Sequence, residues 1–232
     1  MSIHDEHRKR LKQRFLEEGL DNFNDINALE LLLFYAIPRQ DTNPIAHALL
    51  ERFGSLYQVL EAPREELVKI KGISDHTAIL LQLMPALGRR YQVSRGEVQK
   101  VLTTTESCGQ YLLPFFVGRR VECVYLLCLD AKCKVLCCKE VGEGSVNSAG
   151  VSIRRIVEVA LLAGASTVVL AHNHPSGLAL PSGEDVQTTR RVAAALSAVE
   201  VRLADHIVVA DDDFVSLAQS GYYHPDEEYT VI

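Results

Sequence analysis

Two histidines one residue apart, His172 and His174, are followed after ten intervening residues by Asp185. In an extended strand alternate side chains share a face, so both imidazoles can be directed to one point, as two ligands of one metal must be. Pro175 ends the strand pairing. In Pro181-Ser182-Gly183-Glu184-Asp185 the serine reads as a helix N-cap and Asp185 falls in the first turn, which can return a carboxylate to the histidines. Two imidazoles and one carboxylate leave the fourth position of a tetrahedral zinc ion open, the catalytic rather than the structural pattern. The same ligand set also suits iron. A metal in such a site acidifies a water molecule and polarises a carbonyl, and a nearby carboxylate is then needed to shuttle the proton. Glu122 is the candidate: it opens an otherwise apolar run, Val124-Tyr125-Leu126-Leu127, and is either a solvated strand end or a general base. Taken singly, the histidines could only cap a strand, and Ser182 with Asp185 could only cap a helix. Taken together, in strand, loop and helix order, the spacing favours a metal.

The elements that would position these residues alternate. Thr167 to Ala171 reads as a buried strand running into His172. Ahead of it Ile153, Ile156, Val157, Ala160 and Leu161 recur at helical spacing and stop at Gly164. A helix from about Gly183 to Val199 and a strand from Val201 to Ala210 follow. Upstream, Glu122 to Leu129 and Lys134 to Cys138 form a hairpin around Asp130-Ala131-Lys132-Cys133. The pattern is α/β, a sheet covered by helices. Asp205 and His206, at the head of the last strand, read as structural residues or as partners of the ligands and stay outside the site. From Asp5 to about Arg90 the pattern is helical throughout. The polar stretch Gln92 to Lys100 is the expected linker, giving a helical domain over 1–91 and an α/β domain over 102–232.

The segment His172-Asn173-His174-Pro175-Ser176-Gly177 through Pro181-Ser182-Gly183-Glu184-Asp185 resembles the JAMM (MPN) metalloprotease motif, and more narrowly the RadC family. Gly144-Ser145-Val146-Asn147-Ser148-Ala149, Arg154, and Asp205-His206-Ile207-Val208-Val209 also resemble RadC segments in their usual order. The resemblance implies a JAMM/MPN, cytidine-deaminase-like α/β sandwich with a smaller all-α N-terminal domain. It implies one zinc ion per chain, held by His172, His174 and Asp185, and hydrolysis of an amide or isopeptide bond in a peptide or protein substrate. The family's acid/base glutamate maps onto Glu122, with Glu143 the competing carboxylate. Ser182 matches the motif serine that steadies a tetrahedral intermediate, a role open to it alongside helix capping. Deaminase chemistry is not supported, because Pro-Cys-x-x-Cys is absent.

Leu67 to Ala78, with Gly72-Ile73-Ser74 at its centre, is similar to a helix-hairpin-helix, whose turn offers backbone N–H groups to a DNA phosphate. Ser74 stands where the second glycine is usual, and Glu65, Glu66 and Asp75 oppose Lys69 and Lys71. DNA binding and a structural or protein-docking role both remain open for this module.

Composition narrows the classes. The net charge is −6, its acidic excess lying in the C-terminal part, so no basic footprint for a polyanion is present. No apolar run reaches the roughly 20 residues of a membrane span, and the charged N-terminus has no following apolar stretch. The six cysteines include no Cys-x-x-Cys pair and sit mostly in apolar runs as small hydrophobes, which with the lack of a signal sequence points to a cytoplasmic address. The acidic residues after Pro225 read as a solvated end. The rivals to a zinc hydrolase are a DNA repair or recombination accessory, a metal-dependent nuclease, and a non-catalytic scaffold.

Overall fold

The computed structural model describes residues 3–38, 40–96, 100–144 and 152–225. The chain divides into two compact units, Met1–Gly88 and Arg89–Ile232. In the first, short apolar-periodic segments fold as α1 (Ile3–Glu18), α2 (Asp25–Ala36), α3 (Asn43–Phe53), α4 (Leu56–Glu61) and α5 (Arg64–Leu67), followed by the start of α6 (Asp75–Gly96). The Asn24 side chain caps α2 and Ser55 caps α4, each accepting a first-turn N–H that the helix itself leaves without a partner. Leu29, Leu33, Leu49, Leu67 and Leu81 are fully buried in one cluster. The polar stretch expected as a linker is helical as far as Gly96, because polar residues without proline do not stop a helix.

After the end of α6 the second unit continues with α7 (Thr105–Phe116), a helix for which the periodicity gave no warning. Thr104 and Ser107 form a reciprocal capping box, and Tyr111, Leu112, Phe115 and Phe116 are buried. Gly109 interrupts the apolar pattern for a packing reason: a Cβ there would lie 2.2 Å from Cζ of Phe214. β1 (Cys123–Leu129) is buried along its whole length, as a central strand of apolar residues must be. It pairs with β2 (Val135–Glu143) around a turn in which Asp130 Oδ1 accepts the N–H groups of Lys132 and Lys134 at 2.8 and 2.9 Å. β2 runs five residues past the expected end at Cys138, because pairing with β1 carries its charged stretch along the sheet edge.

Next come α8 (Ile153–Leu162), β3 (Thr167–Asn173), α9 (Gly183–Ser197), β4 (Arg202–Ala210) and β5 (Asp213–Ser216). The sheet order is β2-β1-β3-β4-β5, with β3 and β4 parallel and the other pairs antiparallel. Parallel neighbours require a crossover, and α9 is that crossover. One sheet face, through Leu126, Leu170 and Val208, packs on Ile156 and Val159 of α8 and Val192 and Leu196 of α9. The other, through Tyr125, Leu127 and Ile207, packs on α7. The result is the mixed α/β architecture expected from the alternating pattern, with an all-α part ahead of it. Burying a leucine fully contributes about 1.5–3 kcal/mol, so residues such as Leu170, central to the sheet, do much to hold β3 in place.

The segment 145–151, which includes Ser145 to Ala149 of the family-like stretch, and the acidic residues beyond Pro225 lie outside the described residues. Among the described residues no helix is long and apolar enough to cross a membrane.

Candidate metal centre

The end of β3 carries His172, and the chain leaves the sheet at His174. His172 lies opposite Val208 of the parallel β4 and opposite Val124 of the antiparallel β1, on the face covered by α9. His174 keeps a backbone tie to the sheet, its N–H donating to Val209 O at 2.8 Å. Ser182 then caps α9, and the first turn of that helix brings Asp185 over the strand end. Nε2 of His172 lies 2.9 Å from Nε2 of His174 and 3.3 Å from Oδ1 of Asp185, and His174 Nε2 lies 3.7 Å from Oδ2. One ligand atom from each residue falls within 4.8 Å of the others.

The donor set fits a metal ion. With bonds of about 2.0–2.2 Å, tetrahedral zinc sets its ligand atoms roughly 3.3–3.6 Å apart, close to the His172 Nε2–Oδ1 distance of 3.3 Å and somewhat wider than the 2.9 Å between the two Nε2 atoms. The free atoms also point the right way. Nδ1 of His174 is 3.0 Å from the Leu178 carbonyl, which can only accept, so Nδ1 carries the proton and Nε2 is left as a lone pair. Oδ2 of Asp185 accepts both the N–H and the hydroxyl of Ser182 at 2.7 Å, leaving Oδ1 to face His172. Burial pushes the His172 pKa down to about 4, with Asp185 opposing and His174 assisting, so this imidazole is a neutral ligand at neutral pH. Asp185 and His172 are buried, whereas the His174 side chain retains 17% of its exposure, so the centre opens to solvent on that side.

The two candidate carboxylates stand at different strand ends. The β1–β3 pairing ends at Val124 with His172, and Glu122 stands two residues ahead of Val124, just before β1 begins. The Glu122 backbone is held firmly: its carbonyl accepts from Gly144 N at 2.7 Å, and the Asn173 side chain grips both neighbours. Asn173 Oδ1 accepts the Cys123 N–H at 2.8 Å, and its Nδ2 donates to the Val121 carbonyl at 3.2 Å. Glu143 is exposed and pairs with Cys123, which is buried in the cluster against α7. Cross-strand partners share a face, so Glu143 lies away from the histidines.

Ser182 is engaged as a cap. Its hydroxyl donates to Asp185 Oδ2 and accepts the Asp185 N–H at 3.1 Å, so its proton is directed at the carboxylate and not at the open side of the centre. Asp205 and His206, adjacent in β4, face opposite ways and differ in use. Asp205 accepts from Thr105, Ser216 and the backbone N–H groups of His206 and Ala218, joining β4 to α7 and to the chain around β5. Burial raises its pKa while those donors hold it down. His206 is fully buried beside the centre, its Nε2 2.8 Å from His172 Nδ1 and its Nδ1 2.6 Å from Thr189 Oγ1. Burial pushes its pKa well below the usual histidine range, with the two neighbouring histidines adding to the effect. Sequence reasoning passed over Asn173 and Thr189. The signal for Thr189 was its place one helical turn after Asp185, on the same face of α9.

In the first unit, the helix-hairpin-helix-like turn joins α5 to α6. The left-handed φ of +96° falls at Gly72, where a Cβ would also meet Ile45 Cδ1 at 2.7 Å. Ser74, at the position of the second glycine, caps α6 by accepting the Thr77 N–H at 3.3 Å. Among its basic neighbours Arg64 lies 2.9 Å from Asp75, and Glu66 takes both Lys69 and Arg52, which lowers its pKa.

A sheet with helices on both faces and a two-histidine, one-carboxylate cluster at the end of a central strand defines an α/β domain of the JAB (MPN) class. Residues 102–222 match the family model described as a RadC-like JAB domain. Over 217 residues the chain is 34% identical to a UPF0758 protein of Ruegeria pomeroyi, covering 94% of this chain and 97% of that protein. It is 31% identical over 211 residues to a UPF0758 protein of Paraburkholderia xenovorans, covering 91% of this chain and 83% of that one. The chain belongs to the RadC family.

Proposed function

We propose that this protein is a zinc-dependent hydrolase that cleaves an amide or isopeptide bond in a peptide or protein substrate. The observation that carries the reading is the convergence of His172 Nε2, His174 Nε2 and Asp185 Oδ1 at a strand end that is open on one side. Zinc held by these atoms would supply a Lewis acid for the carbonyl oxygen and acidify a water molecule. Glu122, two residues ahead of the β1 partner of His172, then takes a proton from the attacking water and returns it to the leaving amine. Asn173 holds the backbone on either side of Glu122, so the carboxylate starts from a fixed point. Ser182 keeps Asp185 oriented; steadying a developing oxyanion would first require its hydroxyl to turn away from Oδ2. Six free thiols suit a reducing compartment, and the cytoplasm is the proposed address.

The test is metal content and identity in protein purified without an affinity metal column, comparing wild type with His172→Ala and Asp185→Ala. About one zinc per chain, lost in both variants, is expected. Peptide and isopeptide panels follow, with Glu122→Gln as the inactive control. No metal above background, together with failure to take up added zinc, refutes the hydrolase.

A second reading gives the first unit a DNA role, carried by the Gly72 turn leading into the N-terminus of α6. The acidic partners of Arg52, Arg64 and Lys69 weaken it. A duplex-binding salt series tests it: a steep loss of affinity with salt supports the role, and no binding at low salt removes it.

A further inference from the structure

We infer that Thr189 and His206, neither of them a ligand, form a directional relay that fixes the proton of His172 on Nδ1 and so aims its Nε2 lone pair into the metal centre. The inference rests on the metal reading proposed above and goes beyond it in naming what holds the ligand in its binding tautomer.

The direction follows from counting hydrogens. Thr189 Oγ1 lies 2.6 Å from the Asp185 carbonyl oxygen and 2.6 Å from Nδ1 of His206. A carbonyl only accepts, so the single hydroxyl hydrogen of Thr189 goes to Asp185. Thr189 then accepts on its other side, and the hydrogen in that bond is on His206 Nδ1. An imidazole protonated only at Nδ1 presents Nε2 as an acceptor. That atom lies 2.8 Å from His172 Nδ1, which must therefore be the donor. His172 is left with a bare Nε2, the atom that sits 2.9 Å from His174 Nε2 and 3.3 Å from Asp185 Oδ1.

Each link is sheltered: Thr189 and His206 have no exposed surface and His172 has 1%, so water does not compete for these bonds. The relay begins and ends on one residue. Asp185 supplies the metal-facing carboxylate through its side chain and the terminal acceptor through its backbone, one turn of α9 away from Thr189. His174 reaches the same tautomer by a separate route, through the Leu178 carbonyl. Without a cation between them the two Nε2 lone pairs face each other unfavourably, so the relay prepares the centre for a positive charge.

Zinc affinity of the full-length chain, measured by competition with a chromophoric chelator, tests the inference alongside the visible spectrum of the cobalt(II)-substituted protein. Thr189→Val keeps shape and removes the oxygen, and His206→Leu removes the acceptor. Each is expected to weaken zinc binding roughly 10- to 100-fold, the usual effect of losing an outer partner of a ligating histidine, and to alter the cobalt bands. Thr189→Ser and His206→Gln, which can restore the same donor and acceptor, should stay within about threefold of wild type on that scale. Circular dichroism confirms folding of each variant. Long-range 1H–15N spectra of the metal-free and zinc-loaded wild type read the tautomer directly, and His206 should carry its proton on Nδ1. An Nε2–H form of His206, a folded Thr189→Val with wild-type affinity and cobalt bands, or a Thr189→Ser as weak as Thr189→Val each overturns the relay while leaving the metal centre standing. A wild type that binds no zinc overturns the metal reading, and the positioning role with it.

Discussion

Replacing Asn173 with alanine should loosen the start of β1 by an amount the structure allows to be worked out. Of its bonds to the chain around Glu122 two are short, accepting from Cys123 N and donating to Val121 O, while its contact with Arg119 O is 3.5 Å. The two losses are unequal. Val121 is 47% exposed, so its carbonyl can turn to water at little cost, whereas Cys123 is fully buried and its N–H is left without a partner. An orphaned buried donor costs about 1–3 kcal/mol, so the central expectation is roughly 2 kcal/mol for the α/β unit. The unit is large enough that each kcal/mol shifts its midpoint by about 2–4 °C, giving a drop of roughly 4–8 °C. Urea unfolding gives the stability change, and hydrogen exchange locates it. The Cys123 amide, slow in the wild type, should exchange roughly 30-fold faster, the same 2 kcal/mol at 1.4 kcal/mol per factor of ten. A change under about 0.5 kcal/mol with the Cys123 amide still protected would mean that Asn173 does not hold the Glu122 segment.

Ser182→Ala should cost about 1 kcal/mol in denaturant unfolding through loss of the α9 cap, and should also weaken zinc binding because Asp185 Oδ2 loses a charge-assisted bond. Ser182→Thr should restore both, and an alanine variant unchanged in both would contradict the capping geometry. Acid should destabilise the metal-free protein in a defined window. Burial holds His172 down at about 4 and His206 well below the usual histidine range, so the unfolded chain takes up protons first, and stability present above about pH 6.5 is lost as pH falls towards 4. A urea midpoint no lower at pH 5 than at pH 7 would contradict the buried neutral histidines. Glu122→Gln should lower kcat on a cleavable peptide by about 10²–10⁴-fold with zinc content unchanged, while Glu143→Gln stays near wild type. The reverse ranking would move the base to β2.

The centre was more legible than its supports. His172, His174 and Asp185 declare themselves because strand periodicity and helix capping are local rules, and the spacing between them obeys both. Thr189 left little trace, since a threonine in a helix acquires a role only when α9 lies over β4, whereas His206 was already read as structural or as a partner of the ligands and proves to contact His172. Asn173 was hidden differently. It stands between the two histidines and points to the other face of the sheet, where its partners are some fifty residues upstream. The helix α7 went unseen because Gly109 and Pro114 break its apolar pattern, and only the contact with Phe214 accounts for the glycine. β2 was expected too short because its final residues look solvated, and pairing with β1 decided their conformation. The choice between Glu122 and Glu143 as the base was open in the sequence, since both are carboxylates near strand ends.

The three metal-facing residues all belong to one β3–loop–α9 unit, between positions 172 and 185, whereas Glu122 arrives on β1 from some fifty residues earlier. Closing so short a loop costs little entropy, and growth in loop length raises that cost only slowly. On the proposed zinc-hydrolase reading, metal uptake and completion of the reactive pair would therefore be separable events in the history of each molecule. During synthesis or refolding, an ion can be captured once a single strand and the first turn of the following helix have met. An ion caught at that stage would tie the strand to the helix before the rest of the sheet has closed around them, and reactivity would switch on only when β1 docks.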